Sequence, residues 1–166
     1  MVKIALLLLL ASAGAADWSV VLEKAESSVV RLEMQEKDNY LGTCSGSVIN
    51  DEAGYVLTAA HCVEGHDLAV TVNGRHAVVA KANRILDLAV VRTTPHPSYR
   101  ALRVSTSVPK MGAEVAVVGF PFAADKVHAQ FGHVARKSAE GELAINADVI
   151  PGNSGGPLLN TAGEIV

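Results

Sequence analysis

Short apolar runs separated by turn-forming residues give the strongest constraint on the fold of this chain. The runs are rich in valine, which favours strands over helices. The dipeptide Asn73-Gly74 between two of them is typical of a tight hairpin turn. We therefore predict an all-β fold. Its first series of strands is expected at residues 29–34, 43–49, 55–58, 68–72, 76–82 and 88–92.

A polar connector with two prolines, residues 93–98, separates these runs from a second series. Strands of the second series are expected at residues 113–118, 127–134, 143–147 and 158–159. Ahead of the first series, residues 17–28 place apolar side chains at near-helical spacing. This organisation predicts an N-terminal barrel with a short leading helix over residues 17–97 and a C-terminal barrel over residues 98–166.

The composition excludes several classes of protein. Hydrophobic residues make up 49% of the 166 residues and charged residues 19%, which is enough for a packed core and too apolar for a disordered chain. The net charge is −3, and no basic run is interleaved with aromatic residues. We therefore expect no nucleic-acid partner.

The first residues have the composition of a secretory signal. Lys3 supplies a positive charge, residues 4–10 are apolar, and small residues follow. We predict that residues 1–16 are a signal peptide, cleaved after Ala15 or Ala16. The alternative is an uncleaved membrane anchor, but the apolar run is shorter than the roughly 20 residues that span a bilayer. The mature protein is thus expected to be secreted or periplasmic, with no membrane contact.

Two cysteines, Cys44 and Cys62, are separated by 18 residues. In an oxidising compartment such a pair predicts a disulfide bond, and the alternative is two free buried thiols. Two cysteines are too few for an ordinary structural zinc site, and the six histidines show no metal-binding spacing. We expect no metal and no cofactor.

Residues 151–157, Pro-Gly-Asn-Ser-Gly-Gly-Pro, place one serine among glycines. Gly152 can adopt backbone angles that other residues avoid, so the chain can bend sharply there. Gly155 and Gly156 leave no side chains beside Ser154. This arrangement suits a nucleophile whose oxyanion hole is formed by the backbone N–H groups of Gly152 and Ser154. The alternative is a flexible turn between two strands.

A serine nucleophile requires a base, and His61 is the strongest candidate among the histidines. It follows a predicted strand within Thr58-Ala59-Ala60-His61-Cys62, beside a cysteine of the expected disulfide. The other histidines lie in polar or alternating contexts where exposure or partial burial is ordinary; they are His66, His76, His96, His128 and His133.

The base in turn needs a carboxylate that orients it, and this carboxylate is expected to be buried. Asp87 begins the apolar run Leu88-Ala89-Val90-Val91 and is the better candidate. Asp67 is the alternative, although it follows His61 by only six residues in a loop that we expect to be solvated.

Three motifs in the order His, Asp, Ser resemble those of trypsin-like serine proteases, with the bacterial HtrA/Deg branch closest in character. The resemblance covers roughly residues 25 to 166. The motifs are Thr58-Ala59-Ala60-His61-Cys62, Asp87-Leu88-Ala89-Val90 and Gly152-Asn153-Ser154-Gly155-Gly156-Pro157, with further matches at Ser28-Val29-Val30, Gly119-Phe120-Pro121 and Gly132-His133-Val134.

The resemblance implies two six-stranded antiparallel β-barrels with a catalytic cleft between them. It implies that Ser154 attacks the peptide carbonyl, that His61 is general base and then acid, and that Asp87 orients His61. Gly152 and Ser154 are then the oxyanion donors, and the cysteine pair clamps the histidine loop. The expected function is a serine endopeptidase acting on polypeptides through an acyl-enzyme. The alternative is an inactive fragment or homologue that serves as a protein-binding module.

The chain departs from the digestive trypsin-like pattern at three points. Asn153 replaces an Asp that pairs with a newly cut N-terminus, so that mode of activation is not expected. Asp148 lies six residues before Ser154, where trypsin carries the carboxylate that selects Lys or Arg, but the framing cysteine is absent. The sequence ends twelve residues after Ser154, so we expect the second barrel to be incomplete in this chain.

Overall fold

A computed structural model describes residues 17–37, 39–65 and 68–166 of the chain. The predicted signal peptide lies outside the described residues, as do Asp38, His66 and Asp67. The elements, in chain order, are α1 (Trp18–Glu26), β1 (Val29–Glu36), β2 (Asn39–Asn50), β3 (Tyr55–Thr58), β4 (Leu68–Val72), β5 (Arg75–Asn83), β6 (Leu88–Thr93), β7 (Glu114–Gly119), β8 (His128–Lys137), β9 (Leu143–Ile145) and β10 (Leu158–Leu159).

Strands β1 to β6 close into an antiparallel barrel in the order β1-β2-β3-β6-β5-β4. The predicted hairpin turn joins β4 to β5, with both Asn73 and Gly74 at positive φ as a type I′ turn requires. The barrel interior is packed with completely buried side chains, among them Leu32, Val48, Val56, Val72 and Val91. The predicted all-β class and the six-stranded closure are thus confirmed for this part of the chain.

The remaining strands of the described residues form an open antiparallel sheet in the order β10-β7-β8-β9. Helix α1 precedes the barrel in sequence but buries its apolar face against this sheet. Val21 and Ala25 pack in one cluster with Val118 of β7, and the Trp18 ring meets the edge of Phe131 at 5.3 Å between centroids. In the described residues, the second series of strands therefore forms a four-stranded sheet and not the second closed barrel that the resemblance implies.

Strand β2 lies between the two sheets, and its central residues are buried on both faces. Residues 44–48 are all buried, although a strand on a barrel surface ordinarily alternates. Gly46 faces the barrel interior, where a Cβ atom would lie 2.6 Å from the Val56 side chain. Ser45 and Ser47, on the opposite face, are covered by the second part of the chain.

The predicted disulfide is present between Cys44 of β2 and Cys62, with 6.2 Å between the two Cα atoms. Cys62 belongs to a single 3₁₀ turn, Ala60–Cys62, that follows β3. The crosslink therefore attaches this turn to the strand that is buried on both faces.

None of the helices in the three described segments has the length and apolar character that a membrane crossing requires.

Replacing both cysteines, as Cys44→Ser with Cys62→Ser, should lower the free energy of unfolding by about 3 kcal/mol, because the unfolded chain gains loop entropy. Urea denaturation of the double variant and of the wild type measures this difference. Adding reductant to the wild type should reproduce the loss and leave the double variant unchanged. Equal stability of oxidised wild type and double variant would contradict the expectation.

Candidate active site

Asp87 and His61 are joined by two hydrogen bonds. The His61 ring nitrogen Nδ1 lies 2.7 Å from one carboxylate oxygen of Asp87, and the His61 backbone N–H donates to the other at 2.9 Å. The Ala60 N–H donates to the Asp87 backbone carbonyl at 3.1 Å. These contacts are possible because β3, which leads into His61, pairs with β6, which starts after Asp87.

These contacts lower the pKa of Asp87 below its ordinary value. The largest cause is the hydrogen bond from the His61 backbone N–H, and the His61 ring adds a further hydrogen bond and its charge. Asp87 is therefore a carboxylate at neutral pH. Since a carboxylate only accepts hydrogen bonds, the hydrogen in this contact lies on Nδ1 of His61, and in the neutral imidazole Nε2 is then the nitrogen without a proton.

The expectation that this carboxylate is buried is wrong. The Asp87 side chain is 52% exposed and the His61 side chain 56%. Asp87 is the last residue of the turn before β6, with φ of 49°, and its neighbours Leu86 and Leu88 are also exposed. The lowered pKa thus arises from hydrogen bonding at the surface, with burial acting in the opposite direction.

Local contacts shape the turn that carries Asp87. The side-chain oxygen of Asn83 accepts the backbone N–H groups of Ile85 at 3.0 Å and Leu86 at 3.1 Å, which closes an Asx turn. Arg84 donates from Nε to Glu64 at 2.8 Å. Because Glu64 follows the histidine turn, this ion pair connects the two loops that carry His61 and Asp87.

Among the five described histidines, His61 is the one whose ring contacts a carboxylate. His76, His128 and His133 are exposed, and the His96 ring bonds the Ser98 hydroxyl. The alternative carboxylate Asp67 and the sixth histidine, His66, lie outside the described residues.

The His61 ring lies within 4.8 Å of the sulfur atoms of Cys44 and Cys62. Three such atoms could suggest a metal site, but both sulfurs are used in the disulfide bond. These atoms are therefore close together because the disulfide bond attaches the turn that carries His61 to β2.

The glycines around Ser154 are needed for close backbone approach. Gly152 has φ of 99°, and a Cβ atom there would lie 2.3 Å from the Phe120 carbonyl oxygen. Gly155 has φ of 78°, and its Cβ would lie 2.2 Å from the Thr58 hydroxyl. Beyond leaving no side chain beside Ser154, Gly155 thus lets the loop pack directly against β3.

Ser154 is half-buried, and its carbonyl accepts the Ser45 backbone N–H at 2.8 Å. Within the described residues, the backbone N–H groups of Gly152 and Ser154 have no hydrogen-bond acceptor. Two donors are thus available beside the serine. Among the described residues, no hydrogen bond joins the His61 ring to the Ser154 hydroxyl.

Asn153 is buried, and its amide nitrogen faces the Gln130 side chain at 3.5 Å, while its side-chain oxygen has no partner among the described residues. Asp148 is exposed, in the loop between β9 and Pro151. The structure therefore brings His61 and Asp87 together beside the loop of Ser154, and it leaves Asp148 at the surface.

Sequence reasoning missed Ser45, whose hydroxyl donates to the Gly152 carbonyl at 2.7 Å and accepts the Phe120 N–H at 2.9 Å. The one sequence signal was a polar residue directly after Cys44, within a strand whose neighbours are small or apolar.

Comparisons with known proteins place these motifs in a family. Residues 44–166 match the trypsin-like peptidase domain. The chain is 33% identical over 150 residues to the serine protease Do-like HtrA of Bacillus subtilis, covering 78% of this chain and 33% of that protein. It is 32% identical over 151 residues to a probable periplasmic serine endoprotease, DegP-like, of Pseudomonas savastanoi, covering 81% of this chain and 29% of that protein.

The fold is similar to the crystal structure of the serine endoprotease from Yersinia pestis, with a TM-score of 0.78 and 22% identity, covering 92% of this chain and 56% of that one. The chain spans about a third of the length of the two curated relatives. With the family match extending over most of the chain, this protein belongs to the trypsin-like peptidase family, among relatives of the HtrA/Deg type.

Proposed function

We propose that this chain is the proteolytic unit of a serine endopeptidase that hydrolyses peptide bonds through an acyl-enzyme. The observation that carries the proposal is the hydrogen-bonded His61–Asp87 pair beside a serine loop whose Gly152 and Ser154 N–H groups have no acceptor among the residues that the structure describes. The relatives named as serine proteases support the same chemistry.

In this mechanism, Nε2 of His61 removes the proton from the Ser154 hydroxyl as the oxygen attacks the substrate carbonyl. The N–H groups of Gly152 and Ser154 stabilise the negative charge that develops on the carbonyl oxygen. His61 then gives its proton to the leaving amine, and the acyl group remains on Ser154. A water molecule, deprotonated by His61, then attacks the acyl carbonyl; the ester bond to Ser154 breaks, His61 returns the proton to the serine oxygen, and the acid product leaves.

The role of Asp87 follows from its two contacts with one residue. Its carboxylate holds Nδ1 of His61 in the protonated form, and its bond to the His61 backbone fixes the position of the ring. The same charge stabilises the imidazolium that forms when His61 takes the serine proton.

The environment of Asn153 concerns how the proposed enzyme becomes active. Its side chain is uncharged and buried, so it needs no ionic partner to remain in place. The proposed enzyme therefore requires no ion pair with a newly cut N-terminus in order to form its serine loop.

The proposed location is the periplasm or the extracellular space. The support is the signal-like composition of residues 1–16 and the likeness to a relative described as periplasmic. The proposed arrangement of the fold has the sheet β10-β7-β8-β9 as one side of a second barrel, with the substrate between it and the first.

A fluorophosphonate probe tests the nucleophile directly, because it phosphonylates a serine that an adjacent base activates. The wild type should be labelled, and Ser154→Ala should abolish the label. Ser107→Ala, which removes an exposed serine elsewhere, should retain it. The readout is labelled protein measured by mass spectrometry. A wild type that gives no Ser154-dependent adduct would favour the protein-binding module over the enzyme.

Asp87→Asn should lower kcat by about 10⁴ with little change in KM, because the amide can hold His61 in the tautomer that lacks a free base at Nε2. Steady-state hydrolysis of a peptide substrate measures both constants. A loss below tenfold would contradict the orienting role.

The same variant tests the pKa of Asp87. Because this pKa is lowered in the folded state, the carboxylate stabilises the fold above its unfolded value of about 4, and the stabilisation is lost as the pH falls through the lowered pKa. The difference in unfolding midpoint between wild type and Asp87→Asn should therefore shrink as the pH falls from 6 to below 4. A constant difference over this range would contradict the shift.

Asp148 is proposed to favour Lys or Arg at the residue before the cleaved bond. Paired peptides that differ only by Lys or Val at that residue measure the preference through kcat/KM. Asp148→Asn should reduce a preference for Lys about tenfold, as the loss of one charge interaction of about 1.4 kcal/mol predicts, whereas Glu142→Gln, at another exposed carboxylate, should not change it. A wild type that prefers Val would exclude this role.

A further inference from the structure

Ser45 lies at the closest connection between the barrel and the serine loop. It belongs to β2, is fully buried, and directly follows the disulfide cysteine Cys44. Its side chain points away from the barrel interior, toward the segment that carries Gly152 and Ser154. A polar residue at such a place needs partners, since an unpaired buried hydroxyl is destabilising.

Every polar group of Ser45 has a partner. Its backbone N–H donates to the Ser154 carbonyl at 2.8 Å, and its carbonyl accepts the Thr58 hydroxyl at 2.8 Å. Its own hydroxyl donates to the Gly152 carbonyl at 2.7 Å and accepts the Phe120 N–H at 2.9 Å. One residue thus bonds the serine loop, the end of β7 and strand β3.

The two bonds to the serine loop fall on either side of the Ser154 N–H. The carbonyl of Gly152 precedes this N–H group, and the carbonyl of Ser154 follows it, so Ser45 holds both neighbouring peptide groups. Gly152 is at φ of 99°, and a glycine without such a contact has many accessible backbone conformations. The Ser45 hydroxyl therefore restrains the rotation of this peptide.

The neighbour of Ser45 fixes the other half of the site. Cys44 is bonded to Cys62, and Cys62 directly follows His61. Two consecutive residues of β2 thus attach the histidine turn and the serine loop to one buried strand. The relative position of base and nucleophile depends on this short stretch of rigid backbone.

We propose that Ser45 is a positioning residue, whose hydroxyl holds the Gly152–Ser154 loop with its N–H donors directed at the substrate oxyanion. The proposal rests on the proposed protease function. Ser45 does not touch the substrate. It acts through the Gly152 carbonyl, and its effect is on the transition state, where charge on the oxyanion is greatest.

The test is Ser45→Ala in the full chain, compared with Ser28→Ala. Ser28 is also a buried serine, but within the described residues its hydroxyl bonds the Lys24 carbonyl at the end of α1 and no group of the serine loop. Ser45→Ala should lower kcat about 10²-fold, in the range of a lost oxyanion donor, with KM changed less than twofold. The fluorophosphonate labelling rate should fall in parallel. Ser28→Ala should keep both the kcat and the labelling rate of the wild type.

A pH profile of kcat/KM separates a specific effect on the serine loop from a wider rearrangement that also moves the histidine turn. Ser45→Ala leaves the His61–Asp87 contacts intact, so the pH of half-maximal kcat/KM should stay at the wild-type value while the plateau falls. A shifted midpoint would show that the histidine turn had moved, and it would overturn the specific role of the loop contact.

Ser45→Gly provides a second variant in case Ser45→Ala does not fold, because it leaves space for a water to bridge Gly152 and Phe120. It should fold and lose at least fivefold in kcat. If the wild type is labelled at Ser154 and either folded variant matches Ser28→Ala, the role of Ser45 is excluded while the protease function stands. If the wild type itself is not labelled, the protease function fails.

Discussion

The hydrogen bond from the Ser45 backbone N–H to the Ser154 carbonyl joins the closed barrel to the loop of the proposed nucleophile. Around this bond, Gly155 must lack a side chain because β3 lies too close, and Gly152 must adopt a positive φ beside the Phe120 carbonyl. Strand β2 can support these contacts because it is buried on both faces. The site is therefore built where two sheets meet, and neither sheet contains it alone.

Much of this arrangement could be predicted from sequence, because the features concerned are local. Strand positions follow from apolar runs, and Asn73-Gly74 is sufficient to place a hairpin. The pairing of His61 with Asp87, now seen as hydrogen bonds, was suggested by their contexts and by resemblance to a family. For the strands and the hairpin, neighbouring residues hold enough information, since a turn or a short motif determines the backbone over only a few positions. The His61–Asp87 pair joins residues 26 positions apart, and for this pair the family resemblance supplied what local pattern does not.

Other features depend on contacts between distant segments, and the sequence does not reveal them. The exposure of Asp87 follows from a turn closed by Asn83, and its lowered pKa comes from a backbone N–H group that no residue pattern encodes. Helix α1 precedes the barrel yet packs on the other sheet. The burial of Ser45 results from a segment more than a hundred residues later in the chain. Such contacts require the tertiary structure.

In the proposed mechanism, Ser154 is a nucleophile whose transition state is stabilised by the N–H groups of Gly152 and Ser154. A crystal structure with a peptide boronic acid tests it most directly, because boron forms a tetrahedral adduct with an activated serine. We expect a bond from boron to the Ser154 oxygen and one boronate oxygen about 3 Å from both N–H groups. An adduct whose oxygens lie away from these donors, or a site that binds no boronate, would exclude this mechanism.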